Sequence, residues 1–301
     1  MEYTTFGRTG IRVSKLGLGG APLGGDFGPV TDEEVAAVIS HALDFGINFI
    51  DTAPLYGRGE SERRVGLAIR GRRDSVFLAT KAVMRGESYA FDSVIRSVDS
   101  SLKRLGTDYV DLIQMHELID SNMDIGMNET IPAFLKLKEQ GKVRAIGVNS
   151  ANPSLLLPFI RTGLIDSVQT FARYMLIDYS AMDELLPAAK EHNVAVINGS
   201  VLGMGMLAGA PAPFLQAKPA LLQEAERRIE QLSFLRKPGP KGLIEPAMRF
   251  SLTSPDIAVT LTGTTSLRSL RLNAGYCDGK GLSAEETNKL LSLFPGRPLV
   301  W

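Results

Sequence analysis

Thiol and imidazole are scarce in this sequence. Its 301 residues include one cysteine, three histidines and one tryptophan. With Cys277 alone no internal disulfide can form, which suits a reducing compartment and predicts a cytoplasmic setting. No histidine lies near it in sequence, so a buried small apolar role is expected rather than a nucleophile. There is no H-E-x-x-H and no Cys/His metal spacing, and a metal site has no support. Charge of one sign is missing too: Lys plus Arg number 33, as do Asp plus Glu. That balance creates no field favouring nucleic acid or an anionic membrane. The local cluster Arg70-Gly-Arg-Arg73 is followed by Asp74 and reads as a solvated helix end. A signal peptide's basic and apolar regions are absent from the N-terminus. The uncharged run from Val194 to Leu215 is long enough to span a membrane. Asn198, Ser200, its glycines, Pro211 and Pro213 make it a buried strand followed by a loop instead. A Walker loop and a dinucleotide fingerprint are also lacking. Gly17-Leu-Gly-Gly-Ala-Pro and Gly203-Met-Gly-Met-Leu-Ala approach G-x-G-x-x-G, but neither opens a helix in the right place or has an acidic partner at the right distance.

What is present is an ordinary globular composition, 44% hydrophobic and 22% charged, with a regular alternation. Residues 3–14 read as a hairpin turning at Gly7-Arg-Thr-Gly10. A strand at 15–19 and a Gly/Pro-rich loop precede a helix opened by Thr31 and Glu34 as a capping box. Strands at 48–50, 76–80, 110–115, 143–148, 167–169, 194–197 and 257–262 alternate with helices at 61–70, 91–105, 128–140, 153–162, 180–192, 219–235 with 242–253, and 266–275. A last amphipathic helix covers 283–293. Eight short apolar strands, each followed by a helix, predict one domain over 1–301: a TIM (β/α)8 barrel with an N-terminal β-hairpin and extra C-terminal helices. A doubly wound open sheet ranks lower, because no domain boundary and no fingerprint are visible.

In such a barrel the chemistry lies at the carboxyl ends of the strands. There the sequence places Asp51 and Tyr56, then Lys81, then His116 and Glu117. A phenol with pKa near 10 is a poor acid or base at neutral pH, and a nearby ammonium lowers that pKa. Lys81 can supply the ammonium, Asp51 can hold it, and His116 can bond the substrate oxygen. Singly, each has a plainer reading: a satisfied buried histidine, a snorkelling lysine, a capping aspartate, a packing tyrosine. Four such side chains at three successive strand ends make the plain readings the minority view.

The motifs Gly46-Ile-Asn-Phe-Ile-Asp-Thr-Ala-Pro-Leu-Tyr-Gly57, Gly59-Glu-Ser-Glu62, Thr80-Lys81, Leu105-Gly-Thr-Asp-Tyr-Val-Asp-Leu112 with His116, and Gly141-Lys-Val-Arg-Ala-Ile-Gly147 resemble those of the aldo-keto reductase family. Weaker matches at Ser200 with Leu202 and at Gly263-Thr-Thr-Ser266 extend the likeness to nearly the whole chain. Pro22-Leu-Gly, Phe27-Gly-Pro-Val30 and Glu129-Thr-Ile-Pro-Ala133 resemble its plant-type L-galactose dehydrogenase and aldose dehydrogenase branch.

The resemblance implies a barrel that binds NAD(P)H without a Rossmann unit. It implies Tyr56 as acid/base, with Asp51, Lys81 and His116 as partners. Asn149, Ser150 and Gln169 match the residues that hold the nicotinamide carboxamide, Ser200 and Leu202 the pyrophosphate loop, and Gly263, Thr264, Thr265, Ser266, Arg268 and Asn273 the adenosine side. Two departures stand out. Gly199 occupies a position that is often aromatic in the family and stacks on the nicotinamide. The loop opening at Gly263 has no early Lys or Arg for a 2′-phosphate, which leans towards NAD over NADP. The implied reaction is oxidation of an aldose C1 hydroxyl to a lactone. The alternatives are an NADPH-dependent carbonyl reductase and a non-catalytic nucleotide-binding subunit like the potassium-channel β-subunits. The expected partner is a small sugar or carbonyl substrate. Specificity is expected from loops 20–30, 84–91, 118–128 and 204–220 and from the tail ending in Trp301.

Overall fold

Strands β1 (Tyr3–Thr5) and β2 (Arg12–Ser14) pair antiparallel across the Gly7–Thr9 turn, as expected of the first hairpin. The hairpin plugs the amino-terminal end of the barrel with Phe6, whose ring centroid lies 4.9 Å from that of Phe77 and 5.8 Å from that of Phe49. The computed structural model describes every residue except Arg85, Pro211, Pro213, Phe214, Val300 and Trp301. The role weighed for Trp301 therefore lies outside the described residues, as do parts of loops 84–91 and 204–220.

Eight parallel strands follow: β3 (Leu16–Gly19), β4 (Phe49–Asp51), β5 (Phe77–Ala82), β6 (Val110–Met115), β7 (Val143–Ser150), β8 (Ser167–Phe171), β9 (Ala195–Gly199) and β10 (Val259–Thr262). They pair in chain order, and β10 closes the barrel on β3. Short apolar strands buried on both faces are what such a closed parallel sheet requires. The barrel interior is filled from below by Phe6, Phe49, Phe77, Leu112, Ile197, Val259 and small alanines. A larger apolar layer packs the outer strand faces against the helices. Cys277 is buried in that layer, in the role expected of it.

Helix signals hold where caps are explicit. Thr31 and Glu34 form a reciprocal capping box on helix Asp32–Asp44, and Ser283 with Glu286 does the same for Ala284–Leu293. Helix Phe91–Leu105 stops at Gly106 in the left-handed conformation. Several boundaries differ from expectation, among them the helix expected at 180–192, which begins at Leu185 after a single turn over Ser180–Met182. The Gly/Pro-rich loop contains a one-turn helix, Ala21–Gly24, with Pro22 in its first turn and Gly25 ending it at φ 94°. The helix expected from 128 starts at Ile131, after a wide turn over Gly126–Thr130. Strands β5, β7, β8 and β9 run on past their apolar cores, so Lys81, Asn149 and Ser150 sit within strands instead of after them.

The two ends of the barrel differ in chemistry. At the amino-terminal end the Asp111 carboxylate takes Arg73 at 2.7 Å and Arg144 at 2.9 Å, and both guanidiniums lie over the Tyr109 ring at 4.1 Å. This is a closed stabilising cluster. Towards the other end stand Asp51, Lys81, Gln114 and Gln169, all buried.

Candidate active site

Asp51 ends β4 in register with Ala79, and Lys81 lies two residues further along β5 in register with Gln114. Alternation along a strand puts residues i and i+2 on one face, so Ala79 and Lys81 share the inner face and bring the ammonium to the level of the Asp51 carboxylate. Lys81 is fully buried. Its Nζ donates to Asp51 Oδ2 at 2.7 Å, to the Thr52 carbonyl at 3.0 Å and to the Tyr56 hydroxyl at 3.3 Å. An ammonium has three protons, and all three are used.

The loop carrying Tyr56 is shaped by its glycines and pinned from outside. Gly57 has φ 58° and Gly59 φ 95°. A Cβ added at Gly57 would lie 2.2 Å from the Gly24 carbonyl oxygen, so the loop rests on the short helix Ala21–Gly24 at a distance only glycine permits. The Asp26 carboxylate accepts from the Gly57 amide at 3.2 Å. Ser61 Oγ, buried behind the loop, bonds Thr52 Oγ1 and the Gly20 carbonyl, each at 2.8 Å. Together these contacts set where the phenol stands, partly exposed at the mouth.

His116 lies one residue beyond β6 and is 4% exposed. Its ring meets that of Tyr56 edge-on, with centroids 5.9 Å apart and planes at 90°. The Tyr89 hydroxyl donates to its carbonyl. Glu117 follows at φ 51°, and its amide donates to Asn149 Oδ1 at 3.1 Å. The four side chains expected at three strand ends thus stand in one cluster.

Burial and charge compete in it. Burial pushes the Tyr56 phenol up; the Lys81 ammonium pulls it back, Asp51 and Glu117 oppose that pull, and the net direction is upward. The ammonium taken alone predicts a lowered phenol, and burial reverses that direction. Burial alone would depress Lys81, but Asp51 and Tyr56 outweigh it and hold the ammonium protonated. Burial raises Asp51, against Lys81 and the amides of Gln169 and Gln114.

The residues matched to a nucleotide occupy the adjoining strand ends. Asn149 and Gln169 are in register on β7 and β8, and the Asn149 amide reaches the Gln169 carbonyl at 3.4 Å. Gln169 Oε1 is buried with no hydrogen-bond partner among the described residues, an acceptor suited to a carboxamide N–H. The Ser150 hydroxyl is otherwise engaged, donating to the Leu118 carbonyl at 2.7 Å and accepting from Asn152 N at 3.1 Å. Ser200 sits at φ 56° and opens the turn that includes Leu202. Gly263 packs against Pro22; Thr264 Oγ1 accepts from Ser266 N at 3.0 Å; and Ser266 caps helix Leu267–Gly275. Asn273 is buried and donates to Thr262 Oγ1 at 2.7 Å. Thr265 and Arg268 are exposed, whereas Arg271 lies over the Phe45 ring, 6.0 Å from its centroid. The Cβ that Gly199 lacks would come within 3.2 Å of the Phe171 Cβ.

The model of the aldo/keto reductase family matches residues 15–293. The chain belongs to this family. It is 31% identical to L-galactose dehydrogenase of Arabidopsis thaliana, over 100% of this chain and 97% of that one. It is 27% identical to D-threo-aldose 1-dehydrogenase of a Pseudomonas species, over 89% and 90%. A solved aldo-keto reductase from Bacillus halodurans, in its holo form, superposes with a TM-score of 0.81 at 27% identity, covering 97% of this chain and 96% of that one. The chain is therefore an NAD(P)-dependent oxidoreductase built on a TIM barrel. Among the described residues no helix is long and apolar enough to cross a membrane.

One residue escaped the sequence reading. Gln114, fully buried on β6, donates from Nε2 to Asp51 Oδ1 at 3.2 Å, while its Oε1 has no partner among the described residues. A polar residue two positions after Leu112, on the face that otherwise fills the barrel, was the available signal.

Proposed function

We propose that this aldo-keto reductase oxidises the C1 hydroxyl of a cyclic aldose to a lactone, with Tyr56 as the acid/base. The observation that carries the chemistry is the chain of contacts from Asp51 through Lys81 to the Tyr56 hydroxyl, at 2.7 and 3.3 Å. The full-length likeness to L-galactose dehydrogenase supports the sugar, and D-threo-aldose 1-dehydrogenase supports it again. In the oxidative direction the Tyr56 phenolate takes the C1 hydroxyl proton while hydride leaves C1. Lys81 stabilises the phenolate across their hydrogen bond, Asp51 keeps Lys81 charged and placed, and His116 orients the substrate oxygen from beside the ring. A bound NAD would supply the hydride acceptor. Asn149 and Gln169 would hold its carboxamide, Ser200 and Leu202 its pyrophosphate, and Gly263, Thr264, Thr265, Ser266, Arg268 and Asn273 its adenosine end. The Ser150 hydroxyl is left to hold the loop at Leu118. Phe171 stands nearest the place where Gly199 lacks a side chain. NAD is favoured because no basic residue opens the loop at Gly263 and Arg271 is turned to Phe45.

One observation favours a second reading. Burial raises Tyr56, so the phenol is protonated at neutral pH, the state that donates a proton to a carbonyl. Reduction of aldehydes with NADPH is the alternative. The two separate by following absorbance at the reduced-nicotinamide band, with NAD plus a panel of aldoses on one side and NADPH plus aldehydes on the other. In either direction Tyr56→Phe is expected to lose nearly all turnover and keep nucleotide affinity; undiminished turnover refutes the assignment.

A further inference from the structure

A groove of about 510 Å³ lies between the Tyr56 loop, the segment that follows β5 and helix Phe91–Leu105. Three guanidiniums line it, those of Arg58, Arg96 and Arg104, against one carboxylate, Glu87. That carboxylate already accepts from the Met84 amide at 3.0 Å. Arg96 is bonded only to a neutral hydroxyl, Ser93 Oγ at 3.1 Å, among the described residues. Arg104 commits Nε to Glu62 at 2.7 Å and Nη2 to Ser101 at 3.1 Å. Arg58 is exposed and makes no ion pair among the described residues. It is held at φ 54°, a left-handed conformation that is unfavourable for an L-residue. Strain of this kind, kept beside two other cations, motivates a functional reading.

We propose that this groove is a second anion site, taking a phosphate group that is either free or carried on a sugar. Planar guanidiniums match phosphate oxygens two at a time, and a cavity of this size accepts a small molecule. It is distinct from the place proposed for the nucleotide. That place runs along the ends of β7 to β10, whereas the groove follows β4 and β5, with β3 on one side and β6 on the other between them in the barrel order. The groove is also joined to the reaction centre. Glu62, fully buried, receives Arg104 on one oxygen and Thr80 Oγ1 on the other at 2.6 Å, and Thr80 is the residue before Lys81. An anion that draws Arg104 outward loosens the hold of Glu62 on β5 beside Lys81.

The test titrates inorganic phosphate into the full chain by calorimetry, without nucleotide and at ionic strength held constant with chloride. Saturable one-site binding is expected, weakened at least tenfold in Arg58→Gly/Arg96→Ala. Glycine accepts the backbone at 58, and alanine suits an exposed helix position at 96. Absence of saturable binding, or unchanged affinity in the folded double variant, overturns the proposal. Should that variant fail to fold, Glu87→Gln gives the second reading: it removes the opposing charge and must tighten phosphate binding, and unchanged or weaker binding overturns the site. A kinetic arm then assigns the source. A lower KM for a hexose phosphate than for the hexose, lost in the double variant, marks the tail of a substrate. A change in kcat on adding free phosphate, with equal KM values, marks an effector. Binding is read without turnover, so its failure leaves the oxidoreductase reading standing.

Discussion

Lys81→Met separates what the buried ion pair does for folding from what it does for the reaction. Methionine fills much the same volume but leaves the Asp51 carboxylate 2% exposed without its cation. Breaking a buried pair from one side costs about 3–5 kcal/mol. At roughly 2.1 cal/mol/K per residue, a chain of this length unfolds with an entropy of about 0.6 kcal/mol/K, so the melting point should fall by about 5–8 °C. The loss should be pH-dependent with a definite sign. Burial raises Asp51, and without Lys81 that direction only strengthens. A folded pKa above the unfolded one contributes stability below the unfolded value and loses it as pH rises. The variant should therefore approach the parent as pH falls towards the carboxylate range and diverge from it at neutral pH. Adding Asp51→Asn removes the orphaned charge, so the double variant should regain most of the melting point while turnover stays absent. Thermal melts across pH for the parent, single and double variants decide this. A Lys81→Met protein that melts with the parent at neutral pH, or a double variant less stable than the single one, refutes the account of the pair.

Three further outcomes follow from the same geometry. Gly57→Ala places a Cβ against the Gly24 carbonyl and asks alanine to hold φ 58°; a displacement of Tyr56 near 1 Å should lower kcat about 100-fold, read from steady-state kinetics with a nucleotide titration to show that binding survives. Oxidative turnover should keep rising as pH passes the ordinary phenol value of 10.0, because burial raises Tyr56 and the phenolate is the proposed base, while reductive turnover should hold at neutral pH and fall only as the phenol ionises; pH–rate profiles with limbs near neutrality contradict this. Gln114→Leu removes one donor to the Asp51 carboxylate, worth about 1.5–3 kcal/mol as a charged hydrogen bond, and should lower kcat by roughly tenfold or more. Because Gln114 Oε1 is itself without a partner among the described residues, the melting point should barely move; equal losses in both would mark Gln114 as a packing residue only.

The sequence was most informative where a signal is local. Helix Phe91–Leu105 has the bounds expected of it, and it ends where Gly106 takes the left-handed conformation. Asp51, Lys81 and His116 were found because each stands at the end of an apolar run. The same rule cut the strands short. A polar residue after an apolar run looks like the start of a loop, yet Lys81 and Asn149 continue the ladder and project inward. The helix Ala21–Gly24 looks like loop in the sequence, since one turn flanked by Gly20 and Gly25 has no period to detect.

Two features of the site depend on the assembled barrel. Gln114 serves Asp51 across 63 residues of chain, a pairing that the side-by-side order of β4, β5 and β6 creates. The direction of the Tyr56 shift depends on depth. Its charged neighbours could be named from the sequence, but the desolvation that outweighs Lys81 is set by how far the loop sinks. That depth is fixed by Gly57 resting on Gly24 and by Ser61 bonding Thr52 and Gly20 behind the loop. The proposed proton-transfer group is therefore tuned from its outer face as much as from Lys81 and Asp51. Substitutions on the short helix Ala21–Gly24, remote from the ion pair, should move the pH–rate profile along with kcat.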